Sequence, residues 1–287
     1  MTRKLVNFEF RSSFRLLVVI WAALLAMTVL MCILLKVTGL DSYQEMISSG
    51  QALEVITGIV HVVSWILYVA LFSALVVLTI AIVIARFYRG LLGEEGYLMH
   101  TLPVKEWQLI TAKGITATCA VAGSILVGII SIVLVANVGN LFGIFEGLAD
   151  IGKAIGQEPL LLLLGIEFLI LTVLGILKSI YQIYASISIG QLSGRHRILS
   201  SVGAYIGITI VLSILAGIIV FAGAVSGIGE SLGLWFEAHS AIITEDGISG
   251  FGPSQLVLLL AFLAEAIQLA AFHVVSERLL TKRLNLL

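Results

Sequence analysis

Six stretches of the chain are long and apolar enough to cross a lipid bilayer, and this constrains the fold before any other feature does. A helix rising 1.5 Å per residue needs about 20 apolar residues to cross a hydrocarbon core of roughly 30 Å. The runs are approximately Leu16 to Leu35, Val55 to Ala85, Leu109 to Ala136, Pro159 to Ile183, Val202 to Ser226 and Gln255 to Val275. Several exceed the minimum, so tilt or projection beyond the bilayer is expected. With 60% hydrophobic and 11% charged residues and a mean hydropathy of +1.13, the chain lies far outside the range of a soluble globular domain. The expected fold is an all-α polytopic membrane protein, one transmembrane domain over residues 1–287. The first run is too long for the apolar region of a signal peptide and has no small-residue cleavage pattern behind it, so it reads as a retained helix.

Orientation follows from where the basic residues sit. The amino-terminal segment holds Arg3, Lys4, Arg11 and Arg15, and the second interhelical loop holds Arg86, Arg89, Lys105 and Lys113. The fourth loop region adds Lys178, Arg195 and Arg197, and the tail Arg278, Lys282 and Arg283. That places 14 of 16 basic residues on one side, leaving Lys36 and Lys153 opposite, among acidic residues such as Asp41, Glu45, Glu146, Asp150, Glu230 and Glu237. Both termini are therefore expected in the cytoplasm. A formal net charge of −1 gives no basic field for nucleic acid. Cys32 and Cys119, far apart within apolar runs, read as buried thiols rather than a disulfide.

The second loop is the long polar interruption, and its composition exceeds what a connector needs. RFYRGLLGEEGYLMHTLPVKEWQLITAK, from Arg86 to Lys113, contains Gly93-Glu-Glu-Gly-Tyr, apolar Leu98 and Met99, and then Leu102-Pro103-Val104. Pro103 disfavours helical geometry at Leu102 and suits the start of a new helix. The expected pattern is a short helix, a break, and the third span with Trp107 near the interface. Residues 1–15 mix bases with Leu5, Val6, Phe8, Phe10 and Phe14, a composition suited to the headgroup plane, and an interfacial helix is preferred to a loose basic tail. On the other side, Val138 to Gln157 and the loop 227–254 are glycine-rich, and each could hold a short helix lying on the membrane.

Gly147-Leu-Ala-Asp-Ile-Gly152-Lys153 matches G-x-x-x-x-G-K, but Ala154 stands where Mg²⁺ binding requires Ser or Thr, and no buried strand precedes it. It reads as a chance match. His61, His100, His196, His239 and His273 are scattered and form no metal pattern. Ionisable groups inside the runs carry more information, because each costs roughly 2.5 to 3.5 kcal/mol at a helix centre. Glu265 falls near the midplane of the last run, with Gln268 about one turn further along. Glu167 and Lys178 fall on nearly the same face of the fourth, followed by Tyr181 and Gln182. Glu167, Lys178, Gln182, Glu265 and Gln268 read as a polar stripe lining a substrate path or a helix interface. The plainer alternative is that each acid is satisfied by a neighbouring helix or protonated. Gly203-x-x-x-Gly207 and Gly223-x-x-x-Gly227 permit close helix approach without naming a partner.

Asn7-Phe-Glu-Phe-Arg-Ser-Ser-Phe-Arg-Leu-Leu, Arg86-Phe-Tyr-Arg, Gly93-Glu-Glu-Gly-Tyr-Leu-Met-His-Thr-Leu-Pro-Val and the ending Arg283-Leu-Asn-Leu-Leu together resemble bacterial ABC transporter permeases of the type-2 exporter class. The second loop is the specific part of this resemblance, and the loop before the last helix departs from that class in its modest length. The resemblance implies a permease subunit of the bacterial cytoplasmic membrane that has no nucleotide site of its own. It would work with a separate ABC ATPase, which binds ATP and Mg²⁺, and with a second, identical or similar, permease subunit. It further implies that residues 86–108 form a cytoplasmic coupling loop with a short coupling helix. Glu94, Glu95, Gly96, Tyr97, Leu98, Met99 and Pro103 would contact the ATPase there, with Arg195 and Arg197 as a second cytoplasmic contact. An ion-coupled secondary transporter and a non-transporting membrane scaffold stay open as alternatives.

Overall fold

The computed structural model describes residues 2–38, 52–92, 106–138, 141–157, 159–193, 196–227, 231, 234, 242–244, 247–249 and 251–283. Their helices are α1 (Thr2–Thr38), α2 (Ala52–Phe87), α3 (Glu106–Ala136), α4 (Leu141–Gln157), α5 (Pro159–Gly190), α6 (Arg197–Val225) and α7 (Phe251–Arg283). The turn Tyr88–Leu92 continues α2 as a wider π-helix. Six of the helices, all except α4, are long and apolar enough to span a membrane. A backbone in hydrocarbon must satisfy its own hydrogen bonds, which selects helix even for runs as rich in valine and isoleucine as these. Hydroxyls inside the spans are satisfied in the same way. Thr28, Thr79, Thr116, Thr172, Ser186 and Ser276 each donate to the carbonyl four residues earlier.

The helices fall into two compact units. The first comprises Met1–Arg86 and Cys119–Lys153. Its buried apolar core is Leu24, Met31, Leu35, Tyr68, Leu75 and Val138, with Trp21, Leu71, Phe72 and Val135 packed around it. Two hydroxyl clusters cross this core, each centred on a serine of α3. Ser131 meets Thr28 and Tyr68, both at 2.7 Å, and Ser124 meets Trp21 Nε1 and Thr79, both at 3.0 Å. The pairings fix helix direction. Trp21 to Ser124, Thr28 to Ser131 and Cys32 to Leu134 advance together, so α1 and α3 run parallel. Thr79 to Ser124 and Tyr68 to Ser131 advance oppositely, so α2 runs against them.

The second unit comprises Phe87–Thr118 and Ala154–Leu287, with α5 packed against both α6 and α7. Glu167 to Gln255, Lys178 to Glu265 and Tyr181 to His273 advance together, so α5 and α7 are parallel. Gln182 to Thr209 and the close approach of Gly190 to Ser201 make α6 antiparallel to α5. Parallel helices separated by one antiparallel helix are what alternating spans require. At the end of α6 the Ser226 amide donates to the Ala222 carbonyl at 3.0 Å, and Gly227, at φ +72°, turns the chain out of the helix.

Several boundaries and details differ from the sequence reading. The fourth span continues past Ile183 to Gly190, because the polar residues of its last turns are buried against protein rather than lipid. Residues 2–15 are helical and run into the first span without a break. Val138 to Gln157 contains the helix α4, whereas the loop 227–254 contains a short antiparallel pair, β1 (Ile242–Thr244) with β2 (Gly247–Ser249), a small addition to an all-helical fold. Both cysteines are free, but Cys119 is exposed on α3, correcting the expectation that it is buried. The coupling helix and Glu94, Glu95, Gly96, Tyr97, Leu98, Met99, Pro103 and Arg195 lie outside the described residues.

Candidate functional site

In lipid, polar side chains gather where they find each other, and in the second unit they gather on α5. Lys178 Nζ donates to Glu265 Oε1 at 2.9 Å, an ion pair between two spanning helices. Each side chain keeps only about a fifth to a quarter of its surface open, 21% and 24%. The second oxygen of Glu265, Oε2, is buried and has no hydrogen-bond partner. Eleven residues earlier on α5, Glu167 Oε2 accepts from Gln255 Nε2 at 2.6 Å. One turn beyond Lys178, Gln182, itself buried, donates to the Thr209 hydroxyl of α6 at 2.9 Å. The helix thus ties both neighbours through side-chain amide and charge, where a lipid-facing helix would carry leucine.

Further along α5, aromatic rings replace charges. Tyr181 lies 5.3 Å from the His273 ring of α7 and 5.8 Å from Tyr184, and Tyr184 stacks on Phe87 at 3.9 Å with the planes 13° apart. The Tyr184 hydroxyl donates to the Lys113 carbonyl at 3.3 Å. Glycine makes this approach possible at Gly114, where a β-carbon would come within 2.6 Å of the Tyr181 hydroxyl. Lys113 itself is only 4% exposed, and its ammonium lies over Gly90 in the π-helical turn, where a β-carbon would overlap it. A cation at that place lies on the π-helical turn that completes the helix, near its carboxyl end, where the helix dipole favours positive charge. The last turn of α2 and the first turns of α3, which are the two stems of the second loop, are both packed against α5.

The structure brings together Lys178 and Glu265, which the sequence reading placed in the same polar stripe without pairing them. Glu167 and Lys178, expected on nearly the same face of their helix, both bond to α7. Gln268 is partly buried on α7, and Arg197 is exposed at the start of α6. Lys178 and Lys113 are enclosed among packed helices, so 14 less 2 leaves 12 basic residues to support the expected orientation against Lys36 and Lys153. Gln255, Thr209, His273 and Tyr184 were not singled out by sequence. Their signal is weak, since polar residues at span ends are ordinary, and only a partner on another helix gives them meaning.

The G-x-x-x-x-G-K match lies entirely within α4, where Lys153 pairs with Asp150 at 2.9 Å, and a helix lacks the loop that such a phosphate cradle needs. Among the described residues no three His, Cys, Asp or Glu side chains are placed to hold a metal ion. No protein-family model matches the chain, and neither a curated protein nor a solved structure shows significant similarity to it.

Proposed function

We propose that the chain is the membrane-spanning permease subunit of an ATP-driven exporter of the ABC type-2 class, in the bacterial cytoplasmic membrane. It would work with a separate ATPase, which binds ATP and Mg²⁺, and with a second permease subunit. The observation that carries this reading is the anchoring of the second loop. Its stems, the last turn of α2 and the start of α3, pack against α5, which in turn holds the Lys178–Glu265 pair. Force applied to a loop so anchored reaches the polar interior of the second unit instead of dissipating in a flexible connector. The test is co-purification of a nucleotide-binding ATPase with the tagged chain, followed by ATP hydrolysis in proteoliposomes. Absence of any ATPase from gently solubilised membranes would remove the reading.

One observation favours an ion-coupled secondary transporter instead: the buried, unpartnered Oε2 of Glu265 beside an ion pair in mid-span. Under that reading Glu265→Gln lowers turnover and flattens its pH dependence while folded protein is unchanged. Transport that is unaltered across pH by this substitution leaves Glu265 a structural group.

A further inference from the structure

The helix α4 carries two faces half a turn apart. Ile144, Leu148, Ile151 and Ile155 recur at spacings of four, three and four and so share one stripe. Glu146, Asp150 and Lys153 follow at spacings of four and three on the opposite side. Leu148 and Ile151 are 60% and 59% exposed, a degree that water would penalise. β-carbons built on Gly147, Gly152 and Gly156 meet no atom within 4 Å among the described residues, so no neighbouring helix covers those sides of α4.

Both ends of α4 are tied to spans. Ala136 ends the third span, Val138 is still buried in the core with Leu24, Met31 and Leu35, and α4 begins at Leu141. At the other end one residue separates Gln157 from Pro159, and the fourth span starts at Leu160. At 1.5 Å per residue the 17 residues of α4 extend about 25 Å, and three charged side chains lie on its middle turns. It is too short and too polar to cross, yet neither end can leave the membrane surface.

We propose that α4 lies in the membrane interface, with Ile144, Leu148, Ile151 and Ile155 seated among the acyl chains and the charged face toward water. The lipid it fits is neutral. Lys153 is paired with Asp150, and the face with Glu146 sums to −2 + 1 = −1, so it offers nothing to an anionic headgroup. This assignment is independent of what the chain transports.

The test uses the full chain in phosphatidylcholine vesicles, in a Cys32→Ala/Cys119→Ala background, with a nitroxide on a cysteine placed singly at residues 146, 148, 150 or 151. Power saturation then compares access of oxygen, which partitions into lipid, with that of a nickel chelate, which stays in water. The ratio of oxygen to nickel access is expected to be severalfold higher at 148 and 151 than at 146 and 150. Added phosphatidylglycerol should leave that depth unchanged or make it shallower. Equal nickel access at all four sites would place the helix in water and overturn the proposal. Low access of both reagents at 148 and 151 would mean a protein partner covers them, which also overturns it. Deeper insertion with phosphatidylglycerol would overturn the assignment to neutral lipid.

Discussion

Lys178 of α5 and Glu265 of α7 meet at 2.9 Å across two parallel spanning helices, and their neighbours set what that pair is worth. Withdrawing two charges from water costs several kcal/mol each, which mutual attraction offsets only in good geometry. Glu265 Oε2 has no partner, so the offset here is incomplete. A pair of this kind specifies which helix faces meet more than it adds to stability.

Lys178→Met is therefore expected to destabilise the protein by about 2 kcal/mol, less than for a fully buried pair because both side chains keep about a fifth to a quarter of their surface open. The double change Lys178→Met/Glu265→Leu should recover most of that loss, measured by unfolding of the purified protein in detergent. Additive losses would show that the two residues do not act as a pair.

Lys113 and Gly90 supply a second cycle. Gly90→Ala places a methyl where the Lys113 ammonium lies, and lowers stability while lysine is present. In a Lys113→Ala background the same change should be nearly neutral, a coupling of about 1 kcal/mol. Thermal unfolding of the four proteins gives the answer. Equal effects of Gly90→Ala in both backgrounds would mean that the lysine does not rest on the π-helical turn.

Topology is tested by single cysteines at Ser48, Ser249 and Ser193 in the cysteine-free background. An impermeant thiol reagent applied to intact cells should label the first two and spare the third, the outcome expected from 12 basic residues against Lys36 and Lys153. Labelling at 193 before lysis would invert the orientation.

The coupling reading rests on Tyr97, Leu98 and Met99 as an aromatic and apolar anchor, whose central residue can contribute about 2 kcal/mol or more to an interface. Tyr97→Ala should leave membrane insertion intact and weaken co-purification of the ATPase at least tenfold, while Trp107→Phe does neither. Pull-down followed by ATP hydrolysis in vesicles measures both. Normal association of the Tyr97 variant would take the loop out of the coupling role.

The sequence by itself marked six helices long and apolar enough to span a membrane and an uneven distribution of lysine and arginine among the segments that join them. Both depend on quantities that add along the chain: apolar length against bilayer thickness, and the sum of lysine and arginine in each loop. It also marked Glu167, Lys178, Gln182 and Glu265 as costly residues in lipid, since that cost is a property of each side chain alone. Their partners were another matter. That Lys178 pairs with Glu265 rather than Glu167, and that Ser124 and Ser131 knit α1, α2 and α3, depends on which helix faces meet. The end of α5 at Gly190 rather than Ile183 is of the same kind, because polar residues extend a membrane helix only where other helices cover them. Such pairings were decided by the tertiary structure, since a hydrogen bond between residues 87 or 103 positions apart leaves no trace in local hydropathy.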